Sequence, residues 1–91
     1  MTDKNRKTPY TYKLFRVKSQ DGRSTTISID PVLVTAATKT LGDTATVGQF
    51  IREASLRYNK AAQNCSRSRF VQRELLAAHI RALAVNQAMR A

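Results

Sequence analysis

One short segment, Thr25-Thr26-Ile27-Ser28-Ile29-Asp30-Pro31, limits the folds open to this chain more than any other. Strand side chains alternate between two faces, so Ile27 and Ile29 share an apolar face and Ser24, Thr26 and Ser28 share a polar one. Asp30-Pro31 is typical of a helix start, with Asp as N-cap and Pro in the first turn. A lone strand cannot satisfy its own backbone groups. The segment therefore predicts a paired strand that leads directly into a helix.

The composition indicates which classes of partner such a chain binds. With 91 residues it is expected to form one small domain, and 16 Lys and Arg against 6 acids give a net charge of +10. This excess favours nucleic acid as partner, with an anionic membrane surface as second choice. A single cysteine, Cys65, excludes an internal disulfide and a cysteine-rich metal site. The lack of a long apolar run or a signal-like start predicts a cytoplasmic protein without a membrane span.

The first third of the chain predicts a basic arm followed by a β-hairpin. Residues 1–9 are polar and basic and are expected to be a disordered arm. Tyr10 to Lys18 is rich in aromatic and β-branched residues, and Asp21-Gly22 is a hairpin signal. A three-residue loop with Gly22 in the left-handed region pairs Phe15 with Ile27, which gives one apolar and one basic face. The alternatives are a two-residue turn, which mixes the faces, or a segment that is flexible without DNA.

Three helices are predicted after the hairpin. The first runs from Pro31 to Leu41 and ends at Gly42. The second runs from about Val47 to Ala61, with Thr46 as N-cap and Gln49 completing a capping box. The third runs from about Ser68 to Met89, and its wide apolar surface indicates a second packing partner, such as the same helix of another subunit. The predicted organisation is thus an arm (1–9), a domain (10–62) and a C-terminal helix (63–91).

The segment from Ser24 to about Lys60 is predicted to form a strand, a helix, the Gly42 turn and a second helix with the sequence GQFIREASLRY. This order of elements resembles that of ribbon-helix-helix DNA-binding proteins of the Arc/MetJ type. The resemblance implies an obligate homodimer, in which strands Ser24–Ile29 of two subunits pair and enter the major groove of double-stranded DNA. The expected fold class is α+β, mostly helical: a ribbon-helix-helix dimer with an added N-terminal strand or hairpin and an extra C-terminal helix.

The resemblance also implies a set of DNA contacts. The outward residues Ser24, Thr26 and Ser28 would read base edges, and because short hydroxyls discriminate bases poorly, Arg23 or Arg16 would add a longer reach. Phosphates are expected at the start of the second helix, where free N–H groups and the helix dipole favour anions. The candidate phosphate contacts are Lys18, Thr46, Val47, Gly48 and Arg52.

The sequence carries no catalytic pattern. His79 lies within an apolar helix, and Glu53 and Glu74 lie on different helices, so we expect no enzyme, no metal and no cofactor. The favoured function is a sequence-specific DNA-binding dimer, in particular a transcriptional repressor. The alternatives are a plasmid maintenance, mobilisation or antitoxin accessory protein, and an oligomerisation module that assembles or binds a protein partner through its C-terminal helix.

Overall fold

A computed structural model describes residues 11–90, which form a β-hairpin followed by three helices. The class is α+β and mostly helical, as predicted from the sequence. The predicted basic arm, residues 1–9, lies outside the described residues. The elements in chain order are β1 (Lys13–Lys18), β2 (Ser24–Ile29), α1 (Pro31–Leu41), α2 (Thr44–Arg57) and α3 (Arg67–Arg90).

The hairpin has the register that the alternation of apolar and polar residues predicts. Phe15 lies opposite Ile27, and the ladder closes where the N–H of Ser19 donates to the carbonyl of Arg23 at 2.9 Å. The three-residue loop contains Gly22 at φ +86°, a left-handed conformation that favours glycine. Antiparallel pairing in this register gathers the apolar side chains of both strands on one face. The two-residue turn is therefore excluded.

Helix α1 has the ends that the sequence predicts. The Asp30 carboxylate accepts a hydrogen bond from the N–H of Val32 at 2.9 Å, and Pro31 occupies the first helical position. Gly42 ends the helix at φ +127°, and its N–H donates to the carbonyl of Thr38. Only a residue without a Cβ adopts this backbone conformation without strain.

The predicted bounds of α2 are wrong at both ends. The helix is capped by Asp43, whose carboxylate accepts from the N–H of Thr46 at 2.8 Å, and not by Thr46. Both residue types are good N-caps, and the earlier one begins the helix. At the other end, Tyr58 leaves the helix because its side chain is held elsewhere: its hydroxyl donates to the carbonyl of Cys65 at 2.7 Å and its ring packs on Phe70.

The hydrophobic core lies beneath the hairpin and includes the first half of α3. The inward strand residues meet the buried faces of all three helices, and Val71 and Leu75 of α3 are fully buried there. Beyond Ala78 the helix leaves the core, and residues from Leu83 to Met89 are exposed. The members of this core are Val17, Ile27, Ile29, Val34, Ala37, Val47, Ile51, Ala54, Val71 and Leu75.

Each edge of the hairpin meets a helix. On the β1 side, the buried Ser55 of α2 donates its hydroxyl to the carbonyl of Lys18 at 2.9 Å. On the β2 side, the N–H of Ser28 donates to Oγ of Ser68 at 3.1 Å, and the N–H of Asp30 donates to Oε1 of Gln72 at 2.8 Å. The ribbon of this structure is thus formed within one chain and is anchored at both edges.

Truncation of Leu75 tests whether α3 is part of the core. The Leu75→Ala variant should lose about 2–5 kcal/mol of unfolding free energy, because the side chain is fully buried and its removal leaves a cavity. The matched control, Leu14→Ala, removes a leucine that is 70% exposed and should change stability by about 0.5 kcal/mol or less. Urea unfolding followed by circular dichroism measures both. Equal stability of the two variants would contradict this packing.

Candidate nucleic-acid interface

The side of the hairpin that faces away from the core carries five of the ten residues that the sequence predicts as DNA contacts. Arg16 lies opposite Thr26 and Lys18 lies opposite Ser24, and all four are exposed. Ser28 has the same orientation but is half-buried, and its neighbour across the ladder is the exposed Leu14. We call this surface the outer hairpin face: Leu14, Arg16, Lys18, Ser24, Thr26 and Ser28.

Helix α2 brings a third basic residue to this face. Arg52 lines a shallow groove of about 290 Å³ together with Arg16, Lys18 and Ser24. Val17 and Leu56 line the same groove. Three positive charges therefore surround one concavity next to two strands. An arrangement of this kind attracts an anionic group and leaves the long side chains free to adapt to it.

The carboxylates of the described residues are engaged elsewhere. Glu74 pairs with Arg57 at 3.0 Å, and Glu53 accepts a hydrogen bond from the Gln49 amide at 2.7 Å. Asp30 and Asp43 cap helices. Among the described residues no ion pair within 4.0 Å joins Arg16, Lys18 or Arg52 to a carboxylate. Within residues 11–90, the positive charges of the groove are therefore not neutralised by an ion pair.

Arg23 lies apart from this groove. Its guanidinium approaches the Asp21 carboxylate at 3.6 Å in the hairpin loop, and both side chains are largely exposed. The Ser19 hydroxyl and the backbone N–H of Arg23 lower the pKa of Asp21, so this carboxylate keeps its charge at neutral pH. Arg23 instead lines a polar cleft on the β2 side with Tyr58, Lys60 and Arg67. Arg23 therefore does not line the groove with Arg16, and its role as a base contact stays a prediction.

The start of α2 is not built as the predicted phosphate site. The N–H of Thr46 is bonded to the Asp43 carboxylate, and the N–H of Val47 donates to the Asp43 carbonyl at 3.2 Å. Gly48 is one residue further into the helix, where its N–H belongs to the regular ladder. Since a carboxylate already occupies this helix end, we leave Thr46, Val47 and Gly48 out of the interface.

The sequence did not predict the contacts of Arg67, Ser68 and Gln72. Nη1 of Arg67 donates to the carbonyl and hydroxyl oxygens of Ser55 at 2.6 and 3.0 Å, and its guanidinium lies 4.7 Å from the centre of the Tyr58 ring. It therefore joins α2 to the start of α3. Ser68 and Gln72, which hold the β2 edge, gave no signal either, because their partners are about 40 residues away in sequence.

Comparison of the chain with protein-family models, with curated proteins and with solved structures gave no match. Within residues 11–90, no cluster of three or more His, Cys, Asp or Glu side chains could hold a metal ion. None of the helices in that range combines the length and the apolar character that crossing a membrane requires.

Substitutions at Asp43 test the assignment of the α2 cap. The N–H and hydroxyl of Thr46 lower the pKa of Asp43, so its ionised form stabilises the fold above the ordinary carboxyl pKa, and this stabilisation is lost as the pH falls through the lowered value. Asp43→Ala should therefore lower the melting temperature at neutral pH and lose much of this effect in strong acid. Asp43→Asn, which keeps an acceptor, should be milder at neutral pH. A pH-independent effect of Asp43→Ala would contradict this role of the charge.

Proposed function

We propose that this protein binds double-stranded DNA through its outer hairpin face. The observation that carries the proposal is the convergence of Arg16, Lys18 and Arg52 beside the exposed hydroxyls of Ser24 and Thr26. The described residues supply no carboxylate that forms an ion pair with these three side chains. The major groove of B-DNA is wide enough to admit a two-stranded ribbon. A ribbon with basic and hydroxyl side chains has the donors that phosphates and base edges accept.

The chemistry of the face favours duplex DNA over other anionic partners. Single-stranded nucleic acids are held by aromatic rings on which bases stack, and the outward residues of β1 and β2 include no aromatic side chain. A membrane-binding surface needs several apolar side chains that enter the lipid, whereas Leu14 is the one apolar residue of this face.

The side chains of the outer hairpin face differ in length, and we assign them different roles for this reason. Arg16 has the length and the two parallel donors that suit the O6 and N7 acceptors of guanine. Thr26 and Ser24 lie across the ladder from Arg16 and Lys18 and would contact bases next to those that Arg16 reaches. Lys18 and Arg52 are assigned to phosphates. Ser28 is half-buried and is the least accessible of the predicted base contacts.

The order of elements supports a ribbon-helix-helix type of protein, and transcriptional repression is the role that this resemblance implies. A strand with alternating polarity, a helix that begins at Asp30-Pro31, the Gly42 turn and a second helix follow one another as in that family. Here the ribbon is formed by β1 and β2 of one chain, so the proposal does not require strand pairing between two subunits. Plasmid maintenance, mobilisation and antitoxin functions would use the same DNA-binding surface.

An assembly function is a second candidate, and the exposed half of α3 favours it. Ile80, Leu83 and Val85 are 42–55% exposed on the part of the helix that leaves the core. Under this alternative, DNA contact would be secondary to self-association or to a protein partner.

Removal of single charges tests the proposed surface. Arg16→Ala, Lys18→Ala and Arg52→Ala should each weaken binding to duplex DNA, and for a phosphate contact the slope of log K against log salt should fall by about 1. Lys39→Ala is the matched control: it removes one exposed positive charge from α1 and should change affinity much less. Fluorescence anisotropy at several salt concentrations measures both quantities. Equal losses in all four variants would indicate net charge alone and contradict a defined interface.

Thr26 tests base reading as distinct from phosphate binding. On a duplex selected from a random pool, Thr26→Ala should lose about 1–3 kcal/mol of binding free energy if its hydroxyl contacts a base. Binding to unselected duplex should be nearly unchanged. Thr35→Ala, at an exposed position of α1, is the control. Equal losses on selected and unselected DNA would assign Thr26 to the backbone instead.

A further inference from the structure

The hairpin has a second basic concavity, on its β2 side. It is a polar cleft of about 530 Å³ to which three separate segments each bring one positive charge. Arg23 precedes β2, Lys60 follows α2 and Arg67 begins α3. Ser24 and Thr25 of β2 also line this concavity, which we call the β2 cleft. Basic side chains thus stand on both sides of the loop end of the ribbon.

We propose that the β2 cleft binds phosphates of one DNA backbone while the outer hairpin face lies in the major groove. The inference rests on the proposed function and gives a site to the second of the two backbones that border the groove. The major groove is about 12 Å wide, whereas two paired strands lie about 4.8 Å apart. Groups that reach both backbones must therefore stand beyond both edges of the ribbon. Arg52 does so beside β1, and the β2 cleft does so beside β2.

The charges that line the β2 cleft favour an anion. Its one acidic residue, Asp21, approaches Nε of Arg23 at 3.6 Å, and both side chains are largely exposed, so this pair is weak. Among residues 11–90, no carboxylate forms an ion pair with Lys60 or Arg67. The positive side chains of the cleft therefore outnumber its carboxylate by two, and the cleft attracts negative charge.

Arg67 gives the β2 cleft a charge that is already held in place. Its two hydrogen bonds to Ser55 both start from Nη1, which is one of the three nitrogens of the guanidinium. Its contact with the Tyr58 ring fixes the plane of the group further. A side chain that is ordered before binding loses less entropy when it binds a phosphate.

The backbone of β2 adds donors at the same edge. The N–H of Ser19 donates to the carbonyl of Arg23, so these two residues form a hydrogen-bonded pair. Because bonded and non-bonded pairs alternate along an antiparallel ladder, the N–H of Ser24 points away from β1, as does that of Ser28, which donates to Ser68. Backbone N–H groups are common donors to phosphate oxygens.

Strand alternation separates the β2 cleft from base edges. Arg23 and Thr25 flank Ser24 in sequence, so their side chains leave the ribbon on the side opposite the outer hairpin face. They are therefore directed away from the floor of a groove that this face occupies. The inference assigns Arg23 to a phosphate, in place of the base contact that the sequence predicts.

The salt dependence of DNA binding by Lys60→Ala and Arg23→Ala tests the inference. Each variant should weaken binding to selected and unselected duplex by the same factor, because phosphates carry no sequence information. The slope of log K against log salt should fall by about 1 in each. Lys39→Ala, the same substitution at a lysine of α1, is the matched control and should keep the wild-type slope. Circular dichroism checks that all variants are folded.

The outcomes distinguish the β2 cleft from the outer hairpin face. A slope that falls in Arg52→Ala but stays at the wild-type value in Lys60→Ala and Arg23→Ala would overturn the cleft alone. The opposite pattern would support phosphate binding by the cleft and contradict the outer hairpin face. A larger loss on selected than on unselected duplex would assign these residues to bases and overturn the inference. A wild type that binds no duplex overturns both proposals.

Neutral methylphosphonate linkages locate the phosphates. Placed singly along each strand of the selected duplex, they should weaken wild-type binding at positions on both backbones that border the occupied groove. Lys60→Ala should no longer respond to a linkage on one backbone, and Arg52→Ala to a linkage on the other, because each variant has already lost the partner charge. If Lys60→Ala responds to every linkage as the wild type does, or loses its response on the same backbone as Arg52→Ala, the inference is wrong.

Discussion

The pairing register of β1 with β2 is the constraint on which the rest of the structure depends. Because strand side chains alternate, this register places Val17, Ile27 and Ile29 toward the helices and Arg16 and Thr26 toward solvent. A shift of one residue in either strand would place polar side chains in the core. The left-handed glycine at position 22 closes the loop at the length this register requires. One pairing choice thus determines both the core and the charged face.

The distribution of charge follows a simple division. Acidic side chains serve the fold: they cap α1 and α2, shape the hairpin loop and tie α2 to α3 through Glu74. Some basic side chains do the same, as Arg67 does beneath Ser55. Among the described residues, Arg16, Lys18 and Arg52 form no ion pair with a carboxylate, and all three line the groove. These three charges, a part of the net charge of +10, underlie the proposed DNA binding.

Local patterns predicted the parts of the structure that local interactions determine. The bounds of α1, its Asp30 cap and the hairpin register were right because each depends on neighbouring residues or on strict alternation. The start of α2 was wrong because Asp43 and Thr46 are both competent caps and the sequence does not rank them. Its end was wrong because Tyr58 is withdrawn from the helix by contacts with Cys65 and Phe70. The hydrogen bonds of Ser68 and Gln72 to β2 join distant segments, and no spacing rule anticipates them.

The sequence predicted which strand residues share the outer hairpin face, but it did not predict that Arg52 of α2 lies beside them. Alternation alone placed Arg16, Lys18, Ser24 and Thr26 on one face, whereas the arrival of Arg52 beside them depends on how α2 packs on β1. Titration of the ¹⁵N-labelled protein with duplex DNA, followed by amide chemical shifts, tests whether the outer hairpin face binds DNA. The largest shifts should fall on β1, β2 and the turn of α2 around Arg52, while the amides of α1 around Lys39 stay nearly constant. Shifts confined to α1 and the exposed half of α3, or no shifts on the hairpin at saturating DNA, would contradict DNA binding by this face.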